Sequence, residues 1–316
     1  MVDINHKTTN LRINNSRLWD SLMEMAKIGP GIAGGNNRQA LTDEDAQGRA
    51  LFHKWCDEAG LTMGIDQMGT MFARREGTTP DLLPVYVGSH LDTQPTGGKY
   101  DGVLGVLAGL EIIRTLNDQG IETKHPIVLV NFTNEEGTRF PPAMVASGVF
   151  AGVHSLDWAY SRQDSEGKTF GEELKRINWI GDEEVGSRKM KAFFELHIEQ
   201  GPILELEEKE IGIVTHGQGL SWLEITLTGK ESHTGSTPMP MRVNAGLGMA
   251  RITQLVDEIA QTIGLLIEIR RVDLPDIAGE NELGIFPCAC DDRLDLVRGE
   301  VLRLVHDEDH IAQTAT

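Results

Sequence analysis

Three features of the 316-residue sequence predict an α/β fold, with a mixed, largely parallel sheet flanked by helices and an inserted α+β module. Apolar runs at 83–89 and 125–132 have the length and β-branched content of buried strands. Helix-like stretches at 102–117 and near 141–152 alternate with them, the pattern of parallel strands joined by crossover helices. Beyond Gly217 the pattern changes: 220–228 alternates as a half-exposed strand and 242–259 reads as an amphipathic helix. The chain therefore divides into a first domain over 1–214 and a second over 215–316.

The remaining elements follow in order. Residues 16–28 have helical periodicity, with Leu18, Leu22, Met25 and Ala26 on one side. Thr42 is placed to cap a second helix, its spacing to Asp45 resembling a capping box, and the apolar positions Leu51, Phe52, Trp55, Cys56 and Ala59 carry that helix to Gly60. Short strands at 61–66 and 70–74 flank a hairpin-like turn at Met68-Gly69. The stretch 163–191 is charged and reads as irregular. A strand is predicted again at 193–198, with His197 on the face of Glu195 and Glu199.

Charge and cysteine content narrow the function classes. With 29 Lys and Arg against 48 Asp and Glu, the net charge of −19 argues against nucleic acid or an anionic membrane as the main partner. Three cysteines give no disulfide framework, and the Cys288-Ala-Cys290 pair is too close for a zinc-finger knuckle and reads as incidental. The first residues lack the apolar core of a signal peptide, so a cytoplasmic protein is expected.

Chemistry concentrates where the predicted strands stop. His90 and Asp92 follow the first apolar run, Asp101 opens the next helix, Glu135 and Glu136 follow the second run, and His197 lies in the third strand. In open α/β sheets, ligands bind at the carboxyl ends of the strands. Alone, a histidine in such a place is most often a satisfied polar group, and an adjacent Glu-Glu pair is most often solvated. Together they read as a divalent-metal site of mixed nitrogen and oxygen donors, suited to Zn, Mn, Co or Ni. One glutamate can bind metal while the other stays free as a base. Asp92 is placed to fix the imidazole tautomer of His90.

Four ordered motifs carry a family resemblance: Gly88-Ser89-His90-Leu91-Asp92-Thr93-Gln94-Pro95-Thr96-Gly97-Gly98, Asp101-Gly102-Val103-Leu104-Gly105-Val106, Asn134-Glu135-Glu136-Gly137-Thr138-Arg139-Phe140 and His197-Ile198-Glu199-Gln200-Gly201-Pro202. They resemble the amidase, hydantoinase and carbamoylase branch of the dinuclear metallopeptidase-like hydrolases, N-carbamoyl-L-amino-acid hydrolases in particular, over residues 10–260. The resemblance implies two divalent metal ions, with His90, Asp101 and His197 on one and Asp101 and Glu136 on the other. It further implies Glu135 as general base and Gln200 as a substrate contact. The segment Ser232-His233-Thr234-Gly235 is similar to a lid segment whose histidine contacts substrate in a neighbouring protomer, which implies a homodimer formed through the lid.

From about Gly264 onward the sequence departs from the family's pattern. The resemblance implies a returning segment that supplies the second metal's last histidine and an arginine for the substrate carboxylate. The chain as written reads as a truncated or frameshifted form, expected to have little or no hydrolytic turnover. His306-Asp307-Glu308-Asp309-His310 reads as an acidic solvated tail. Three functions are weighed: an amidohydrolase of N-carbamoyl amino acids or related ureido acids, a related metallopeptidase, deacylase or allantoate amidohydrolase, and a dimerising chain without catalysis.

Overall fold

The computed structural model describes residues 11–215, 217, 223–263, 303–306 and 312–314. The chain separates into two compact units, Met1–Ile213 and Val214–Thr316.

In the first unit, helix α1 (Asn15–Met25) begins where the Asn14 side chain accepts the Arg17 amide, and it buries Leu22 and Met25. Arg17 ties it to the sheet-covering helix α3 (Val103–Asp118) through two bonds to the Glu111 carboxylate, at 2.8 and 2.7 Å. Helix α2 (Asp43–Glu58) is capped by Thr42 as its sequence predicts, the Thr42 hydroxyl accepting the Asp45 amide at 3.2 Å. The return arm of the box is shifted by one residue. The Asp45 carboxylate accepts the Leu41 amide at 2.8 Å and also pairs with Arg49, while the Thr42 amide donates to the Gln39 carbonyl at 3.2 Å.

Strands β1 (Thr62–Ile65) and β2 (Met71–Arg75) form the antiparallel hairpin, with Gly69 at φ +74° supplying the left-handed residue of its turn. They join β3 (Val85–His90), β4 (Ile127–Phe132) and β5 (Ala192–Phe194) in one sheet of order β1-β2-β4-β3-β5. The sheet is mixed. Parallel pairing is confined to β4-β3-β5, whose carboxyl ends carry the predicted site. Helix α3 lies against this parallel part, and Gly109 allows the close approach, since a Cβ there would stand 2.6 Å from Leu129 Cδ1. Met25, Phe52, Met71, Val106, Leu110 and Leu129 make the core between helices and sheet.

The third predicted strand differs from expectation. Pairing with β3 ends at Val87↔Phe194, and β5 is an edge strand with Phe193 and Phe194 exposed at 37% and 63%. Past that point the Ser89 hydroxyl donates to the Glu195 carboxylate, a side-chain contact in place of a ladder bond, so His197 sits on a loop and not in a strand. The stretch 163–191 is more ordered than its charge suggests. After the short helices α4 (Val145–Phe150) and α5 (Leu156–Tyr160), helix α6 (Phe170–Arg176) has a full capping box between Thr169 and Glu172. It buries Phe170 and Leu174, an i,i+4 pair hidden among charged residues, against a cluster containing Phe140. The unit ends after the single turn α7 (Ile203–Leu206).

In the second unit, β6 (Leu223–Thr226) precedes α8 (Ala245–Ile263), as the change of pattern predicts. Strands β7 (Arg303–His306) and β8 (Ala312–Thr314) continue an antiparallel sheet of order β6-β7-β8. His306 therefore closes a strand opposite Leu223, where a solvated tail is expected from composition; backbone pairing overrides the local charge. Residues 307–310, like Met1–Lys7 and the Cys288-Cys290 pair, lie outside the described residues. Among the described residues no helix is long and apolar enough to cross a membrane.

Candidate metal centre

The site forms where β3 and β4 end and the chain turns away from the sheet. His90 is the last residue of β3 and is buried. Its Nδ1 lies 2.9 Å from the main-chain carbonyl oxygen of Asp92. A carbonyl can only accept, so in the neutral ring this contact puts the proton on Nδ1 and leaves the Nε2 lone pair free. His197 is set by the same device, its Nδ1 standing 2.8 Å from the carbonyl oxygen of Ile198. Both imidazoles thus offer Nε2 toward Asp101, His197 at 3.1 Å and His90 at 3.9 Å from Oδ1. One donor atom from each of His90, Asp101 and His197 falls within 4.8 Å of the other two, a triad able to hold a metal ion.

Asp92 serves the site differently from its expected part. Its carboxylate is 3.8 Å from His90 Nδ1, beyond hydrogen-bond range, and the carbonyl oxygen of the same residue fixes the tautomer. The carboxylate accepts the amides of Glu135 at 3.2 Å and Glu136 at 3.1 Å. A buried acid therefore fastens the end of β3 to the Glu-Glu pair beyond β4. Sequence spacing suggests a partner for Asp92 but cannot say that it will be the main chain of a segment 43 residues away.

The two glutamates have separate environments. Glu135 Oε2 lies 3.3 Å from His90 Nε2, and burial raises the Glu135 pKa against the opposing pull of His90. Glu136 Oε2 accepts from Gln94 Nε2 at 2.9 Å, while Oε1 is buried with no hydrogen-bond partner among the described residues. Burial raises the Glu136 pKa too, with Asp101 among the neighbours that add to the effect. Burial alone would lower the pKa of His90, but the charges of Asp92 and Glu135 outweigh it and the net shift is upward. The pocket gathers negative charge that a cation would balance, and the orphaned Glu136 oxygen is a lone pair without a use in the protein alone.

Gln200, at φ +56°, donates through Nε2 to Asp101 Oδ2 at 2.7 Å, which leaves Oδ1 to face both histidines. Gln94 is a contributor that spacing does not single out; its place inside the first motif is the only signal. His90, Asp92, Asp101, Glu135, Glu136, His197 and Gln200 all belong to the first unit and converge. His233 belongs to the second unit, where its Nδ1 accepts the amides of Gly235 and Ser236, both at 3.0 Å. This is the opposite tautomer, with the proton on Nε2.

The donor set suits a divalent metal: two imidazoles with Nε2 free, a carboxylate facing both, and a second carboxylate with an unused oxygen. Comparison with known proteins agrees. The sequence pattern of peptidase family M20/M25/M40 matches residues 86–294. The chain is 73% identical over 251 residues to an N-carbamoyl-L-amino-acid amidohydrolase of Rhizobium meliloti, covering 79% of this chain and 60% of that protein. It is 33% identical over 259 residues to a ureidoglycolate hydrolase of Arabidopsis thaliana, covering 79% of this chain and 54% of that one. A solved amidase of the hydantoinase/carbamoylase family from Burkholderia multivorans superposes with a TM-score of 0.72 at 58% identity, over 80% of this chain and 61% of that structure. The chain thus spans about 60% of the length of such relatives. With the match running through every strand-end motif of the site, the chain belongs to peptidase family M20/M25/M40.

Proposed function

We propose that this chain carries the catalytic machinery of a metal-dependent amidohydrolase that cleaves the carbamoyl C–N bond of N-carbamoyl-L-amino acids or related ureido acids. The observation that carries the reading is the triad of His90, Asp101 and His197, with Glu135 beside it and bound to neither Asp101 nor Gln94. The similarity to an N-carbamoyl-L-amino-acid amidohydrolase and a ureidoglycolate hydrolase supports a ureido substrate over a peptide.

His90, Asp101 and His197 would hold one ion and Asp101 with Glu136 a second, of Zn, Mn, Co or Ni. The ions, when bound, polarise the ureido carbonyl and make water easier to deprotonate. Glu135 accepts the proton of the attacking water and returns it to the leaving nitrogen, a task favoured by a raised carboxylate pKa. Gln200 keeps the Asp101 carboxylate turned to the histidines and stands at the mouth of the site, where a substrate would meet it. His233, with its proton on Nε2, can donate to the oxyanion of a partner protomer's substrate in a homodimer. One water is consumed, and an amino acid, ammonia and carbon dioxide are formed.

The test is release of ammonia by metal-loaded protein from a panel of N-carbamoyl-L-amino acids, ureidoglycolate, N-acetyl amino acids and dipeptides. Ammonia from the ureido compounds alone, at a rate far below that of an ordinary enzyme, with dipeptides left intact, is the expected outcome. Dipeptide cleavage without ammonia release from any ureido acid would assign the site to peptidase chemistry instead.

A further inference from the structure

Arg38 is fully buried, with no exposed surface. Among the described residues its guanidinium meets no carboxylate at hydrogen-bond distance. Nε donates to the carbonyl of Leu91 at 3.0 Å, Nη1 donates to the carbonyls of Met25 at 3.2 Å and Ile28 at 2.9 Å, and Nη2 is left without a partner. Its main chain makes a second clamp: the Arg38 amide donates to Thr93 Oγ1 at 2.8 Å, and the Thr93 amide donates to the Arg38 carbonyl at 2.8 Å. Gly48 in helix α2 makes room for the side chain, since a Cβ there would stand 2.9 Å from Arg38 Cδ.

Burying a guanidinium without an ion-pair partner is costly, and a hydrophobic residue would fill the same space without that cost. What the charge gains is position. Arg38 grips Leu91 and Thr93, the two neighbours of Asp92, and so fixes the peptide whose carbonyl sets the His90 tautomer. The same residue's carboxylate holds the amides of Glu135 and Glu136. Burial lowers the Arg38 pKa, and the charges of Asp45 and Asp92 oppose the fall.

We propose that Arg38 is a positioning residue: by clamping Leu91 and Thr93 it holds the Asp92 carbonyl against His90 Nδ1 and so keeps His90 Nε2 free to bind metal. The proposal rests on the metal-centre reading above, and it is separable from it. A staple that merely joins α1 to the sheet would lower thermal stability when weakened, yet leave the ring tautomer of His90 untouched.

The experiment uses the full chain with Arg38→Lys, which keeps the charge and loses the Nε donor. Thr93→Val loses the hydroxyl clamp, and Thr93→Ser restores it. Folding is checked by far-UV circular dichroism. The His90 ring is then read by nitrogen-15 NMR in the metal-free protein, and Co²⁺ binding by its visible absorption. Arg38→Lys and Thr93→Val are expected to lower the Nδ1-protonated population of His90 and to weaken Co²⁺ binding about tenfold or more, while Thr93→Ser behaves as the parent. A folded Arg38→Lys with parental tautomer and Co²⁺ affinity overturns the proposal. If Arg38→Lys does not fold, the Thr93 pair decides it: equal tautomers in Thr93→Val and Thr93→Ser overturn it as well. Should the parent bind no Co²⁺, the metal reading falls, and the ring signals still decide whether Arg38 positions His90.

Discussion

Gly102 presses against the imidazole of His90: a Cβ on Gly102 would overlap Nε2, Cδ2 and Cε1 of the ring, and the residue sits at φ +65° and ψ −45°. Gly102 stands immediately after Asp101 and immediately before helix α3, so one glycine lets the Asp101 carboxylate and the buried histidine meet. Gly102→Ala should cost about 1–3 kcal/mol from backbone strain alone. The ring has no room to yield within its buried pocket, so the larger effect falls on the site. The expected outcome is a lower thermal midpoint together with loss of Co²⁺ binding; a folded variant that binds Co²⁺ as the parent does would show that His90 is not a ligand.

Asp101 faces both His90 and His197 with one oxygen, and Gln200 holds the other. If it joins two ions, its removal should empty both positions. Asp101→Ala is expected to retain less than a tenth of the parental metal, measured by elemental analysis after dialysis. Its carboxylate faces polar partners, the two histidines and Gln200, so its removal opens no apolar cavity and the variant should fold. Full occupancy in this variant would move the metal to other residues.

How much of this could be read from the sequence depends on whether a contact is local. The parallel strands, α3 and the Thr42 cap were legible because each is encoded by neighbours in the chain: period, length and a capping hydroxyl. His90, Asp101, Glu135, Glu136 and His197 were legible because each follows an apolar run or opens a helix. The shortness of β5 was not, since the same Phe193-Phe194-Glu195-Leu196 pattern suits six paired residues or three; β3 runs on to His90, and a side-chain contact from Ser89 to Glu195 takes the place of the ladder. Nor was the division of labour within Asp92, where carbonyl and carboxylate serve different partners. Arg38 gives no signal at all in sequence, because a buried arginine is indistinguishable there from a surface one.

Glu135 and Glu136 make opposite predictions despite adjacency. Glu135 has its carboxylate beside His90 Nε2, whereas Glu136 is held by Gln94 and keeps one oxygen in reserve. Glu135→Gln should leave metal content and fold unchanged and reduce ammonia release at least a hundredfold, the usual scale for a positioned general base. Glu136→Gln should instead lower metal content, about half the total being lost if it holds one ion of two. Elemental analysis of the two variants side by side, with turnover measured at saturating metal, separates base from ligand. Equal metal loss in both would remove the distinction.

Asp66 carries a prediction for stability that is independent of the metal site. It is 1% exposed in the β1–β2 turn, where Oδ1 accepts the amides of Met68 and Thr70, both at 2.9 Å. Burial outweighs those bonds and pushes its pKa up to about 6 from 3.8, with the charge of Glu183 adding to the rise. A carboxyl whose pKa is higher in the folded state than in the unfolded one is protonated first in the native protein. Its contribution therefore becomes more favourable as pH falls from about 6 toward 4, and above pH 6 the buried charge opposes folding. A shift of about two units corresponds to roughly 2–3 kcal/mol between these limits. Asp66→Asn keeps the Oδ1 acceptor for Met68 and Thr70 and removes the charge. Denaturant unfolding at a series of pH values should show the variant more stable than the parent at pH 7.5, with the difference shrinking steadily toward pH 4. A variant that is less stable at every pH would mean that the carboxylate charge itself holds the turn.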